Sequence, residues 1–239
     1  MTPIYAVGDI HGHVDQLHKV LKYIERDGGQ DCPVVFVGDY VDRGPKSRAV
    51  IETLMQGQAE GKPWTCLMGN HDRYVLRFLE DPDYIDSAPS RPIYWTEPPL
   101  GGARTLASYG VDVDERRSRR DIRDDALDAI PQAHRDWIAA LPRYHETDDQ
   151  IFVHAGLRPG VALEDQVEDD LVWIRGPFLD FEGDWGRLVV HGHTALDQPQ
   201  LYPNRLNLDG GAGYGRALRP ALLLGGEVFL LGPEGRSRL

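Results

Sequence analysis

The sequence predicts an α/β fold that closes with antiparallel hairpins. Three observations predict it: short apolar runs rich in β-branched residues recur along 239 residues, amphipathic segments separate the early ones, and glycine-rich turns separate the late ones. Ile4 to Val7 reads as the first buried strand, and Val14 to Ile24 comes next with the apolar spacing of a helix. Val34 to Val37 is the second strand, Arg48 to Met55 the second helix and Trp64 to Met68 the third strand. Ile151 to Val153, Leu188 to Val190 and Leu206 to Leu208 are further buried strands, and the closely spaced runs Ala221 to Leu224 and Val228 to Leu231 read as a hairpin.

Composition fits one domain spanning 1–239, since 41% of residues are hydrophobic and a core of ordinary size results. No run approaches eighteen apolar residues, and MTPIYAVGDI enters a strand without a basic stretch and a long apolar region, so neither a membrane span nor a signal peptide is expected. Cys32 and Cys66 have no metal-knot spacing and read as reduced thiols, which places the chain in a cytoplasm. The net charge of -12 opposes binding to nucleic acid. The basic stretch Arg116 to Arg120 is surrounded by aspartates and reads as a solvated mixed-charge face.

The residues immediately after each apolar run are more informative. Val7 leads to GDIHG, Val37 to GDYVDRG, Met68 to GNHD, Val153 to His154-Ala155-Gly156 and Val190 to HGHT. In open α/β sheets ligands bind beyond the carboxyl ends of strands, so these five ends are expected to share a crevice, with glycine allowing sharp turns and close approach. Asp9 and His11, two apart in an extended segment, point to one side.

The ordered set GDIHG, GDYVDRG, GNHD, HAG and GHT, with LNLDGGAG after it, resembles the phosphoprotein phosphatase branch of the calcineurin-like metallophosphoesterases, which includes serine/threonine phosphatases and phage lambda phosphatase. The resemblance implies two mixed β-sheets between layers of helices, a four-layer αββα sandwich. It implies a first metal on Asp9, His11 and Asp39 and a second on Asp39, Asn70, His154 and His193. Mixed carboxylate, amide and imidazole donors suit two divalent cations, with Mn2+ the first choice and Fe or Zn the alternatives. Such a pair, about 3.5–4 Å apart, holds a bridging hydroxide that attacks phosphorus directly. His71 corresponds to the general acid, with Asp42 holding its tautomer and raising its protonated fraction, while Arg43 and Arg175 grip phosphate oxygens. The expected substrate is phosphoserine or phosphothreonine in a protein or peptide. The rivals are a diadenosine tetraphosphatase using the same metals and acid, and a phosphate-binding module without catalysis.

Taken singly, Asp39 reads as a cap and Asp42 with Arg43 as a surface pair; within the five-motif set the site reading prevails. His191 ends the same strand as His193 and is read as a core or supporting histidine, and Asp209 as a supporting carboxylate. Two departures from the pattern stand out. Met68 occupies the position of an arginine in lambda-type enzymes, and Asp72 replaces a glutamate, which predicts a weaker support. Residues 81–145, rich in proline at first, interrupt the strand rhythm and read as a cap over the crevice, with Tyr94 and Trp95 as its anchors or as substrate contacts.

Overall fold

The structure is a computed structural model that describes residues 3–86, 89 and 91–239; Met1 and Thr2, and residues 87, 88 and 90 of the predicted cap, lie outside the described residues. Its elements in chain order are β1 (Ile4–Val7), α1 (Val14–Arg26), β2 (Val34–Phe36), α2 (Ser47–Ala59), β3 (Trp64–Cys66), α3 (Asn70–Glu80), α4 (Gly102–Ser108), α5 (Arg119–Ala129), α6 (Gln132–Ala139), β4 (Tyr144–Glu146), β5 (Gln150–Val153), α7 (Glu168–Trp173), α8 (Gly176–Leu179), β6 (Leu188–His191), β7 (Gln200–Leu201), β8 (Arg205–Asn207), β9 (Ala221–Leu224), β10 (Glu227–Gly232) and β11 (Gly235–Arg238).

Successive side chains of a strand face opposite ways, and here that alternation sorts the core into layers. Tyr5 and Val7 face the helices α1 to α6, while Ala6 between them faces the second sheet. Val34 and Phe36 likewise go to the helical side, Val35 and Val37 to the inter-sheet side. From the other sheet Phe152, Val190 and Leu206 meet them, and Ile151, Val153 and Val189 turn outward to Leu171 and Phe178 of α7 and α8. The architecture is therefore the four-layer αββα sandwich that the sequence predicts. Because every layer is apolar on the sides it buries, runs such as Val34 to Val37 are hydrophobic throughout instead of alternating.

One sheet has the order β11-β10-β9-β1-β2-β3 and the other β4-β5-β6-β8-β7. Within the first, β1, β2 and β3 are parallel, in register Tyr5 with Val34 and Val34 with Trp64. Within the second, β5, β6 and β8 are parallel, Ile151 facing Val189 and Val190 facing Leu206. Antiparallel strands complete both sheets: β9 beside β1, then the predicted hairpin, and β4 and β7 at the edges of the second sheet. Six carboxyl ends are brought together by this arrangement. The His154 ring donates from Nδ1 to the Val37 carbonyl at 2.8 Å, and the His193 amide donates to the Asp9 carboxylate, so the ends of the two sheets are bonded to one another.

The described residues of 81–145 share the main core. Trp95, Leu100, Leu106, Ile122 and Ile138 pack into the same cluster as α1 to α3. Cys32 and Cys66 are free thiols, and no helix among the described residues is long and apolar enough to cross a membrane.

The inter-sheet layer is thin and Phe152 is its largest side chain, fully buried. Phe152→Ala should lower unfolding free energy by about 3–5 kcal/mol, the cost of a large cavity, read from guanidinium denaturation with an unchanged slope.

Candidate active site

Every carboxyl end of the six parallel strands delivers a polar residue into one buried locus. Asp9, His11, Asp39, Asn70, His71, His154 and His193 are at most 7% exposed, a degree of burial that such groups accept only with strong partners. Their backbones are unusual as well. His11, Asp39, Asp42, Arg43 and His193 all have positive φ, between 48° and 73°, and they are the non-glycine residues with this conformation among those described. Strain of this kind, about 1–3 kcal/mol per residue, persists where the surrounding structure over-determines it and gathers at functional sites.

Asp39 lies at the centre. Its Oδ2 is 3.6 Å from His11 Nε2 and 4.0 Å from His71 Nε2, and its Oδ1 is 3.4 Å from His154 Nε2. Asp9 Oδ2 is 3.9 Å from His11 Nε2. Asn70 Oδ1 lies 3.0 Å from His154 Nε2 and 2.9 Å from His193 Nδ1. Two groups of ligand atoms result, His11 with Asp39 and His71, and Asp39 with His154 and His193. They share Asp39, and the sequence-predicted ligands Asp9, His11, Asp39, Asn70, His154 and His193 are thus all brought together.

The chemistry of the donors fits cations. His11 donates from Nδ1 to the Val41 carbonyl at 2.9 Å, as His154 does to Val37, which leaves each Nε2 with a lone pair directed at the carboxylates. Burial holds the His11 and His193 rings far below the ordinary imidazole range, so they are neutral, as ligands must be. Burial, and then the neighbouring carboxylates of Asp209 and Asp39, push Asp9 well up. His193 Nε2 is buried with no hydrogen-bond partner. Neutral imidazoles beside crowded buried carboxylates form a locus short of positive charge. Arg43 supplies part of it: Nη1 reaches His11 Nε2, a nitrogen that a metal ion would use, at 2.8 Å, and Nη2 reaches His71 Nε2 at 3.1 Å.

His71 and Asp42 meet as their sequence motifs predict, Nδ1 to Oδ2 at 2.6 Å. Asp42 is also held by two residues that the sequence did not single out for it. Trp95 donates from Nε1 to Asp42 Oδ2 at 2.8 Å, and Thr105 donates from Oγ1 to Oδ1 at 2.6 Å. No spacing rule could connect them to Asp42, since they lie more than fifty residues away; only the burial of Trp95 was legible. Burial works against the expected rise in His71 protonation. Burial lowers the ring to about 3, with Asp39 opposing and Arg43 adding to the fall, while burial raises Asp42 to about 7. The ring is a neutral tautomer, fixed by donation to Asp42, with Nε2 toward Arg43.

Asp72 also corrects an expectation. Far from weak, its carboxylate accepts the amides of Asp39, Tyr40 and Gly69 at 2.8, 2.9 and 3.0 Å, clamping the loop after β2 to the start of α3. Met68 is fully buried in the core. Arg175 donates to the His193 carbonyl at 3.2 Å and so lies at the rim of the locus. His191 is fully buried, edge-on to Phe178, and its Nδ1 meets its own Gly192 carbonyl. Asp209 accepts the Gly211 amide at 2.9 Å and shapes the loop beyond it.

Over residues 2–197 the chain matches the family model for calcineurin-like phosphoesterases. The asymmetrical bis(5'-nucleosyl)-tetraphosphatase PrpE of Halalkalibacterium halodurans is 24% identical, covering 89% of this chain and 86% of its own. The symmetrical bis(5'-nucleosyl)-tetraphosphatase of Janthinobacterium sp. is 31% identical over 86% of this chain, which spans 60% of that relative's length. Of solved structures, a candidate diadenosine tetraphosphatase superposes with a TM-score of 0.66 at 22% identity, over 98% of this chain and 95% of its own. A cold-active protein tyrosine phosphatase of Shewanella sp. gives 0.63 at 16% identity, over 100% and 80%. The two solved structures speak to fold alone. The curated relatives overturn one expectation: they are named for dinucleoside tetraphosphates, small nucleotides, so a phosphorylated protein is not retained as the substrate.

A methyl group on Gly192 would lie 2.1 Å from Asp9 Oδ1, too close for any real contact. Gly192→Ala should therefore displace the carboxylate and lower bound divalent metal to one equivalent or less per chain, against about two for the parent protein, measured by elemental analysis after dialysis.

Proposed function

The chain belongs to the calcineurin-like phosphoesterase family, and on that premise we propose that it hydrolyses dinucleoside tetraphosphates at a pair of divalent cations. The sharing of Asp39 between two ligand groups carries the metal part of this reading; the naming of the relatives supports the substrate class. Asp9, His11 and Asp39 would hold one cation, and Asp39, Asn70, His154 and His193 the other, with Mn2+ the first choice for this oxygen and nitrogen donor set. Bound there, the cations supply Lewis-acid polarisation of the phosphoryl oxygens and a water of lowered pKa.

The protein's own groups do the rest. Arg43 and Arg175 bind the non-bridging phosphate oxygens, guanidinium forks matching two oxygens at once; for Arg43 this requires leaving the imidazole acceptors it rests on. His71 carries the proton for the departing phosphate oxygen on Nε2. Burial disfavours the charged ring, and an entering polyphosphate, strongly negative, offsets that penalty, so the imidazole takes up a proton as substrate arrives. Asp42 keeps Nδ1 protonated and the ring aimed. Residues 81–145 serve as a buttress for Asp42 through Trp95 and Thr105, within one domain. A phosphoanhydride needs less help from an acid than a serine alkoxide does, because phosphate is the better leaving group; general acid catalysis typically contributes about 10²–10⁴-fold.

The test is a substrate panel with metal-loaded protein: diadenosine tetraphosphate should be turned over with the higher kcat/KM, a phosphoserine peptide poorly, and chelation should abolish both. A phosphopeptide preferred over the dinucleotide refutes the substrate class. Asp39→Asn should lose metal and activity together. His71→Asn should keep about two metals per chain while kcat falls by about 10²-fold or more; loss of metal in that variant would make His71 a ligand, a role its 4.0 Å distance to Asp39 allows.

A further inference from the structure

Tyr214 is 61% exposed, and among the described residues it is the one aromatic side chain with most of its surface open to solvent. A single exposed aromatic means little by itself. Its position gives it meaning. The Arg43 guanidinium lies over the ring, 4.9 Å from its centroid, while the same guanidinium reaches His11 and His71. Arg175, which donates to the His193 carbonyl at 3.2 Å, lies at the rim of the same locus. The ring thus stands at the mouth of the metal locus, one face against a phosphate-binding arginine and the remainder exposed.

The loop that presents it is fixed. After β8, Asp209 Oδ1 accepts the Gly211 amide, and a single turn at Ala212–Tyr214 is closed by Gly215 donating to Ala212. Gln16 of α1 pins the far side, donating to the Arg216 carbonyl at 3.0 Å and accepting the Leu218 amide at 2.6 Å. Gly213 lets the loop lie on the site, since a Cβ there would meet His11 Cδ2 at 2.5 Å and Arg43 Cδ at 3.0 Å. Order is therefore imposed on a segment whose most prominent side chain is left without a cover. A flat ring, preorganised beside the phosphate-binding groups, matches a planar base one or two phosphates away.

We propose that Tyr214 is the stacking platform for a nucleobase of the substrate, with Arg43 beneath the ring and the base on its open side. This rests on the dinucleotide reading of the site, whose chemistry demands some contact with a base. The residue sets specificity and takes no part in proton transfer. Stacking of a base on an aromatic ring is tolerant of base identity, so adenine and guanine dinucleotides should be served alike.

The experiment compares the parent protein, Tyr214→Ala and Tyr214→Trp, all loaded with manganese, on diadenosine tetraphosphate and on inorganic tripolyphosphate, which has the anhydride but no base. The ratio of kcat/KM between the two substrates should fall by about tenfold or more in the alanine variant, mostly through KM, and be restored by tryptophan. An equal loss on both substrates would mean that the ring only supports Arg43, and overturns the proposal, as does no loss. Calorimetric binding of adenosine diphosphate against pyrophosphate separates this from the reaction reading. Selective weakening of the nucleotide in the alanine variant sustains the platform even where the parent protein leaves the dinucleotide uncut; cleavage of the dinucleotide with an indifferent alanine variant keeps the reaction and removes the platform.

Discussion

The carboxylate of Asp39 is the junction on which the rest is built. It is buried, it comes from the end of a central strand, and its two oxygens face different histidine groups, with the His71 amide donating to Oδ1 at 3.0 Å. A single carboxylate can serve both sides only if the backbone aims it between them, which explains its left-handed φ of 55°. Asp72 supplies the holding force by taking the Asp39 and Tyr40 amides. Coulomb repulsion among Asp9, Asp39 and Asp209 works against assembly of the cluster, and the bonds from the His71, His193 and Gly211 amides work for it. Charge-assisted hydrogen bonds to backbone donors are the stronger kind and suit this task.

Much of this was legible in the sequence because the physics is local. Apolar runs of three or four residues locate strands, and β1 and β9 fall at Ile4–Val7 and Ala221–Leu224 as the runs suggest. The polar residues after each run needed no knowledge of pairing, only the rule that strand ends face ligands. Where pairing or edges decide, the sequence was silent. The edge strands β4 and β11 read YHE and GRSR, with no apolar signal, since their residues are half-buried or exposed. Thr105 reaches Asp42 through packing of α4 beside α2, and Trp95 from the segment before α4, packed on Phe78 of α3; no periodicity encodes such contacts. The state of His71 depended on burial, which motif spacing leaves out.

Substrate class was the larger miss, and for a physical reason. Metal ligands and acid are set by the transferring phosphoryl group, which a phosphoserine and a tetraphosphate share, so the motifs speak to that group alone. What distinguishes the substrates is what lies beyond the phosphate, which falls to residues at the rim of the site, and the rim loop after β8 that carries Tyr214 has a sequence of mostly glycine and arginine with no motif to announce it.

The hold of Trp95 and Thr105 on Asp42 has a consequence for how the molecule can fail. The metal cradle draws its members from strand ends anchored in both sheets, whereas the orientation of His71 depends on a peripheral run of chain packed on α2 and α3. Sub-global opening of that run, the kind of event with a lower free energy than global unfolding, would cut the tether while leaving the cradle intact. On the proposed roles of the cradle and of His71, the population of molecules that retain ions and yet stand idle is then set by the local stability of the helices α4 to α6. On the proposed roles, raised temperature or a cut in that stretch would throttle turnover long before the sandwich itself came apart.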